Sequence, residues 1–381
     1  MAYIATWLND HQQTKEADLV IDETLTWLKQ RSGLLDKYVP LKTYSSRNFL
    51  MYVVNKIRTV ASIISYGAEP PVVRLGNFNT IDAKMFKVGL SVYYNEDQQW
   101  QMKEAMELAR LKNVSVQDQV LPDGSILKGS NEDLANLILG SNGTIADVTR
   151  SIGELLNYLT WQALQNGAVN YTDPRTNATP LTLDYKNASA TYNHFPAALT
   201  GADSWNNPST ANGLAVLEED VETFTNTNGF KPDVIVMPLK VRRALLNQET
   251  TRQSVSSMSN NSAMIVANAV GSIGPEMLMN VLERRELPPI ITFDELFEME
   301  DANKNQNKMR FLNDNRYVFL SKNMGERAMG PTLEGDGKEG AYVVTREVQK
   351  FPPVDATQGV ATALPAFGNP KLFFSRQVIS V

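Results

Sequence analysis

The stretch TIADVTRSIGELLNYLTWQALQNG, residues 144–167, has the hydrophobic period of one long amphipathic helix. Its apolar side chains recur every three or four positions and so fall on one stripe: Ile145, Val148, Ile152, Leu155, Leu156, Leu159 and Ala163. Thr144 and Asp147 are typical of a capping box, because both side chains accept hydrogen bonds from unpaired backbone N–H groups. Gly167 stands where a left-handed C-cap is favoured.

The face opposite this stripe is not simply polar, because Tyr158 and Trp161 lie on it. A helix of this extent is roughly 36 Å long at about 1.5 Å per residue, which exceeds most globular helices. We therefore predict a helix that is packed on two sides and not a surface element.

Composition restricts the function classes. A chain of 381 residues is too long for one simple core, so two or more lobes are expected. Hydrophobic content of 43% with charged content of 20% is typical of a soluble folded protein, and no apolar run is long enough to span a bilayer. The N-terminus shows no secretion signal. The absence of cysteine excludes disulfides and thiolate chemistry, and a net charge of −6 argues against a general nucleic-acid binder.

Residues 66–97 form the most unusual local stretch. Glycines and prolines punctuate its start, and a strand-like alternation ends it. We predict a two-stranded excursion, with an outgoing strand near Val72–Leu75 and a returning strand near Phe86–Tyr94. Long excursions commonly serve binding, and a mobile surface loop is the alternative interpretation.

The remaining segments alternate between helix and strand patterns. Short helices are predicted at 98–112 and 131–141, and a β-hairpin at 168–195. After Trp205 the predicted elements are a helix at 211–228 ended by Gly229, a strand at 232–238, a helix at 239–248, a polar loop at 254–263, a helix at 274–287, and strands at 288–295 and 315–322. This pattern predicts a second lobe with a mixed sheet and flanking helices. The tail is extended, and Pro352 and Pro353 favour an edge position for it.

Histidine chemistry finds no support in the sequence. Only His11 and His194 occur, far apart and without the context of a catalytic triad or a zinc site. The glycine-containing run 335–340 lacks the spacing of a phosphate-binding loop.

Two acidic patterns are also unconvincing as sites. Asp301-x-Asn303-x-Asn305 resembles the start of a calcium loop, but Gln306 and Leu312 replace the glycine and the bidentate glutamate that such a loop needs. The acidic run 294–301 offers paired carboxylates without a neighbouring histidine, so solvated or ion-paired side chains are the favoured interpretation. We predict no catalytic residue, no metal ligand and no cofactor.

The order of these features resembles the major capsid proteins of tailed bacteriophages, which have the Hong Kong 97-type fold, and more narrowly the lambda-like major capsid protein E family. GAEPPVVRLGNFNTIDAKMFKVGLSV resembles the family's E-loop, and the helix quoted first resembles its spine helix. The resemblance implies an α+β fold. Its parts would be an N-terminal arm (1–65), an E-loop (66–97), a P-domain (98–204, with spine helix 144–167 and hairpin 168–195), an A-domain (205–335), a return strand of the P-domain (336–365) and a C-terminal strand against the A-domain (366–381).

The resemblance also implies a function. Copies of the chain would assemble into pentamers and hexamers of an icosahedral head in the virion, built in the host cytoplasm around double-stranded DNA that is not read by sequence. Portal, scaffolding and decoration proteins are further expected partners, and no membrane is expected. Expected subunit contacts are Pro70, Pro71, Arg74, Lys84, Lys87, Tyr158 and Trp161. No reacting asparagine or glutamate identifies Lys84 or Lys87 as a cross-linking residue.

Two alternatives remain open at this point. The first is an encapsulin-like bacterial compartment shell of the same fold. The second, from a different class, is a carboxylate- or metal-dependent hydrolase that uses Asp294–Asp301.

Overall fold

The computed structural model describes residues 33–54, 78–94, 96–97, 100, 119–120, 126–127, 141–175, 181–185, 195–258, 275–303, 305–333, 340, 342–350 and 353–380. The predicted helices at 98–112 and 131–141 lie outside the described residues, apart from Trp100 and Ser141. So do residues 1–32 of the predicted arm.

The described helices are α1 (Gly33–Tyr38), α2 (Ser141–Asn166), α3 (Gly213–Asn228), α4 (Leu239–Asn247), α5 (Glu249–Met258) and α6 (Pro275–Arg284). The described strands are β1 (Leu41–Thr43), β2 (Asn48–Val54), β3 (Phe78–Lys84), β4 (Phe86–Tyr94), β5 (Gln119–Val120), β6 (Ile126–Leu127), β7 (Ala168–Tyr171), β8 (Leu181–Asp184), β9 (Val234–Met237), β10 (Ile290–Thr292), β11 (Leu296–Glu300), β12 (Gln306–Arg310), β13 (Arg316–Leu320), β14 (Glu326–Gly330), β15 (Tyr342–Lys350), β16 (Pro353–Ala366) and β17 (Ser375–Gln377). None of the described helices is both long and apolar enough to cross a membrane.

The chain divides into two units. The first unit comprises the described residues of Met1–Phe49, Ala83–Asn157 and Glu326–Pro365, and the second those of Leu50–Asp82, Tyr158–Gly325 and Ala366–Val381. Helix α2 contributes to both units, because the boundary falls between Asn157 and Tyr158.

The first unit contains a five-stranded sheet covered by the N-terminal part of α2. The strand order is β1-β14-β16-β15, and β4 also pairs with β16. Val148, Ile152 and Leu156 of α2 pack in one buried cluster with Met329 and Ala361 of the sheet. Burying a side chain such as Leu156 contributes about 1.5–3 kcal/mol, so this stripe is a principal source of the unit's stability.

The second unit is built on the mixed sheet β10-β9-β13-β17, as the sequence predicts. β9 and β10 are parallel, whereas β13 runs antiparallel to both β9 and β17. Two-stranded sheets β7–β8 and β11–β12 complete its described strands outside Leu50–Asp82. β7 and β8 confirm the hairpin predicted after the long helix.

The predicted helix ends are confirmed at two glycines. Gly167 has φ 66 and follows α2, and its N–H donates to Ala163 O at 2.7 Å. Gly229 has φ 76 and caps α3 through Thr225 O at 2.6 Å. Both positions require left-handed backbone, which glycine adopts without steric cost.

The predicted pairing within the excursion stays a prediction, because its outgoing strand Val72–Leu75 lies outside the described residues. β4, predicted as its returning strand, pairs with β16 from Tyr94–Asp355 to Phe86–Ala363. Its alternation arises because one face, with Val88, Leu90 and Val92, packs on the cluster under α2. Near the excursion, β2 and β3 form a two-stranded sheet of their own.

Two further predictions need correction. The polar run from Ser254 is helical as far as Met258, because serine hydroxyls such as that of Ser254 bond back to a carbonyl four residues earlier, here Thr250 O at 2.9 Å. In the tail, β15 lies at the edge of the sheet among the described strands, but β16 is internal, with both β15 and β4 as neighbours. β16 tolerates Pro353 because that residue is its first.

Candidate subunit-contact sites

The predicted contact residues of the excursion are only partly described. Pro70, Pro71 and Arg74 lie outside the described residues. Lys84 ends β3, and Lys87 is exposed on β4 opposite Thr362 of β16. The two lysines therefore belong to different sheets and not to one hairpin.

Tyr158 and Trp161 occupy an aromatic cluster inside the second unit. The Trp161 ring stacks on Phe293 with centroids 4.7 Å apart, and the Tyr158 ring lies 4.8 Å from that of Phe297. Phe297 also lies 4.8 Å from Phe311. Aromatic pairs in this range contribute beyond their buried area, so the far side of α2 is fixed by its own chain.

The prediction that Trp161 contacts a neighbouring subunit is wrong. Its side chain is 0% exposed and is covered by Phe293 of the same chain. Tyr158 is partly exposed, and burial raises the pKa of its hydroxyl group. Its hydroxyl accepts a hydrogen bond from Gln162 Nε2 at 2.7 Å, and its role in subunit contact stays a prediction.

The C-terminal end of α2 is held by polar side chains. Gln165 is 5% exposed; its Nε2 donates to Phe311 O at 2.7 Å, and its Oε1 accepts from Asn313 N at 2.8 Å. Arg316 Nη1 donates to Gln165 O at 2.9 Å and satisfies one of the carbonyls that a helix end leaves unpaired. The two-sided packing predicted for the long helix is thus confirmed by apolar and polar contacts.

A buried carboxylate connects α3 to the C-terminal strand. Asp220 is 2% exposed; it accepts hydrogen bonds from the Tyr317 hydroxyl of β13 and from Arg376 Nη1 of β17, the latter at 2.8 Å. Burial raises the pKa of Asp220 to about 6, although both hydrogen bonds lower it. Burial also raises the pKa of Tyr317 well above its ordinary value. The cluster joins three elements of one unit.

The acidic run 294–301 does not form a catalytic arrangement. Asp294 accepts from Leu239 N at 2.9 Å, which caps α4, and pairs with Arg310 at 3.1 Å. Asp301 lies in the β11–β12 turn and accepts from the backbone N–H groups of Asn303 and Asn305 at 2.8 and 2.9 Å. These hydrogen bonds hold the pKa of Asp301 below its ordinary value. The calcium-like spacing is therefore a turn motif.

The described part of the chain contains no group of three or more histidine, aspartate or glutamate side chains able to hold a metal ion. His11 and His194 lie outside it.

A surface cavity of about 550 Å³ lies in the second unit beside α4. Its lining combines apolar, amide and charged side chains, namely Trp205, Asn206, Pro208, Leu239, Lys240, Arg243, Ala244, Asn247, Asp294, Arg310, Asp314 and Ile379. The sequence predicts no site here, because the lining comes from five separated segments. The one local feature that indicates a charged surface here is the pair Lys240 and Arg243, two basic residues three positions apart on a predicted helix.

Comparison with known proteins gives similarity in structure only. No protein-family model and no curated protein matches the chain. The crystal structure of a candidate capsid protein from a prophage of Escherichia coli CFT073 has a TM-score of 0.52 and 13% identity, over 91% of this chain and 92% of that chain. The virus-like particle of Pyrococcus furiosus has a TM-score of 0.43 and 9% identity, over 94% and 98%. The capsid of Myoviridae phage XM1 has a TM-score of 0.42 and 14% identity, over 91% of each chain.

At such low identity a structural match concerns the fold. The prophage protein matches over almost the whole of both chains. The chain therefore has the Hong Kong 97-type fold, which is α+β. The family resemblance inferred from the order of sequence features is confirmed at this level.

Proposed function

We propose that the chain is the major capsid protein of a tailed bacteriophage. Its copies assemble into pentamers and hexamers that form an icosahedral head around double-stranded DNA. The observation that carries the proposal is the structural match, over nearly the full length of both chains, to the candidate capsid protein of the Escherichia coli prophage. The proposed role is structural, and the acidic run that suggested a hydrolase serves a helix cap and a turn.

The named parts of the family fold are proposed on the described elements. α2 is the spine helix, and the first unit, with β15 and β16, supplies the P-domain sheet. The sheet β10-β9-β13-β17 of the second unit is the A-domain, and β17 is the C-terminal strand that joins it. The E-loop is β2, β3 and the intervening residues 55–77, which moves its boundaries from 66–97 to 48–84.

The β2–β3 pair supports a role in contacting neighbours. Among the described strands these two pair only with each other. A two-stranded sheet buries too little apolar surface to be rigid alone, so a surface of another copy would complete it. Pro70, Pro71, Arg74 and Lys84 lie within the proposed loop, and Lys87 follows it. Repetition of such contacts around a shell makes many modest interfaces add up to a stable particle.

The proposed location is the virion capsid, assembled in the host cytoplasm. A net charge of −6 is consistent with a shell that encloses DNA without binding it tightly. A portal protein, and separate scaffolding or decoration proteins, are the further partners that a tailed-phage head would require.

Electron microscopy of the purified protein tests the proposal. We expect closed icosahedral shells or their pentameric and hexameric precursors. Protein that stays monomeric at every concentration would overturn it. Native particles that enclose other proteins in place of DNA would favour the encapsulin-like alternative.

A deletion tests the E-loop assignment. Residues 56–76 are replaced by a two-residue Asn-Gly turn, which keeps β2 and β3 as a short hairpin. We expect a folded subunit with unchanged thermal unfolding that no longer forms closed shells. Normal particles from this variant would contradict the assignment.

A further inference from the structure

The cavity beside α4 has an excess of positive charge. Two of its three basic side chains are neutralised locally, Lys240 by Asp314 and Arg310 by Asp294, each at 3.1 Å. Arg243 lines the same cavity and is exposed, and its guanidinium forms no ion pair or hydrogen bond with another described residue. One positive charge is therefore left over.

Trp205, whose side chain lines the cavity, carries a further unpaired donor. Trp205 is 1% exposed, and its Nε1 is buried without a hydrogen-bond partner among the described residues. An indole N–H can only donate, and a buried donor without an acceptor costs free energy. The carboxamides of Asn206 and Asn247 also line the cavity; Asn206 Nδ2 donates to Ser380 O at 3.2 Å and keeps one further N–H. The Arg243 guanidinium, together with the amide N–H groups of the lining, suits a carboxylate.

The cavity also has an apolar part. Pro208, Ala244 and Ile379 line it, and Leu239 at its edge is 38% exposed. The matching group is thus a carboxylate on an aliphatic stem, as in a glutamate side chain, and not a bare inorganic anion.

The complementary feature lies on α3 of the same unit. Its buried face carries Leu214, Leu217, Val221 and Phe224. Its opposite face carries Glu219 and Glu222, three residues apart and both exposed. Neither forms an ion pair with another described residue, whereas the adjacent Glu218 pairs with Arg285 at 2.8 Å. No residue of α3 lines the cavity.

We propose that the cavity beside α4 receives Glu219 or Glu222 of a second copy of this chain. The contact is heterologous, because each copy presents the acidic face of α3 to one neighbour and the cavity to the other. Such head-to-tail contacts close into rings when the rotation between copies divides a full turn. The inference deepens the proposed function, on which it rests, by naming two surfaces that join copies within a ring.

A charge-reversal series tests the contact. The variants are Arg243→Glu, the double variant Glu219→Arg with Glu222→Arg, and the combination of all three. Because like charges facing across an interface are strongly unfavourable, we expect each reversal alone to raise the concentration needed for assembly by at least about tenfold. The combination restores opposite charges and is expected to assemble within about threefold of the wild-type concentration.

Controls separate this contact from general effects of charge. Lys322→Glu makes the same change in net charge at an exposed turn of the same unit, outside the cavity, and is expected to assemble normally. Arg243→Lys keeps the positive charge and should retain most assembly. Thermal unfolding of each subunit should be unchanged, since the substituted side chains are exposed.

A failure of this contact can be distinguished from a failure of the proposed function. Wild-type protein that never assembles overturns the proposed function itself. Assembly of the wild type together with normal assembly of Arg243→Glu overturns only the contact. Failure of the triple variant to recover, when both partial variants are impaired, also overturns it.

Discussion

Trp161 and Phe293 stack within one chain, with ring centroids 4.7 Å apart and an interplanar angle of 29°. This pair fixes the second half of α2 to the loop that follows β10, and it makes the far side of the helix an internal surface. Trp161, which was predicted to contact another subunit, thus stabilises the subunit itself.

Trp161→Ala is expected to destabilise the subunit by about 3–5 kcal/mol, because it removes a fully buried aromatic side chain and leaves a cavity. Urea denaturation of the dissociated subunit measures the change. The matched control is Tyr158→Phe, which keeps the ring and loses only the hydrogen bond from Gln162, at a cost of about 1 kcal/mol. An unchanged midpoint for Trp161→Ala would contradict this packing.

Leu156→Asp is expected to prevent folding of the first unit. Leu156 is 1% exposed in the cluster between α2 and the sheet, so a carboxylate there has no partner and no water. Ser151→Asp places the same charge on an exposed position of the same helix and should leave the fold intact. Circular dichroism and soluble yield compare the two; equal yields would argue against the observed face of the helix.

Arg327→Met is expected to cost about 3–5 kcal/mol of unfolding free energy, since breaking a buried ion pair leaves its partners unsatisfied. Arg327 is 2% exposed and donates to Asp36, Asn157 and Val39 O. The control Lys42→Met removes the more exposed pair with Glu326 and should cost less than about 1 kcal/mol. Chemical denaturation of both variants gives the comparison, and equal losses would refute the special role of Arg327.

Asp220 predicts a specific dependence of stability on pH. Its pKa of about 6 in the folded chain exceeds the value near 3.9 expected when unfolded. The folded state therefore takes up a proton at higher pH than the unfolded state, so stability rises as pH falls from about 7 to about 4. As pH falls from 7 to 4, the unfolding free energy of the wild type should rise relative to that of Asp220→Asn, by on the order of 1–3 kcal/mol. A constant difference from pH 7 to 4 would show that Asp220 is not perturbed.

Local patterns predicted the regular elements of the second unit well. The helix ended by Gly229, the short apolar strand at 234–237 and helix α4 were each marked by periodicity together with a glycine or proline at the boundary. The serine-rich start of 254–263 was misjudged, because hydroxyl groups can satisfy carbonyls inside a helix as well as in a loop.

The predicted contact residues agree less well with the structure than the predicted helices and strands do. Of the two aromatic residues on α2, Trp161 is covered by its own chain, and Tyr158 is partly covered. The donor-rich cavity beside α4 was not predicted, since it brings Trp205 and Ile379 together with residues from three intervening segments. Which side chains of this cavity are buried or unpaired depends on the folding of the whole unit, and no local periodicity of the sequence encodes it.

The sequence alone predicted a long helix with two packed faces that ends at Gly167; it placed the start at Thr144, whereas the helix begins at Ser141. The tertiary structure decided what covers each face: Met329 and Ala361 on one side in the first unit, and Phe293 on the other side in the second. It also decided that β4 pairs with β16. The physical reason is that periodicity depends on backbone geometry over a few residues, whereas the partner of an apolar face is selected by packing among residues far apart in the chain.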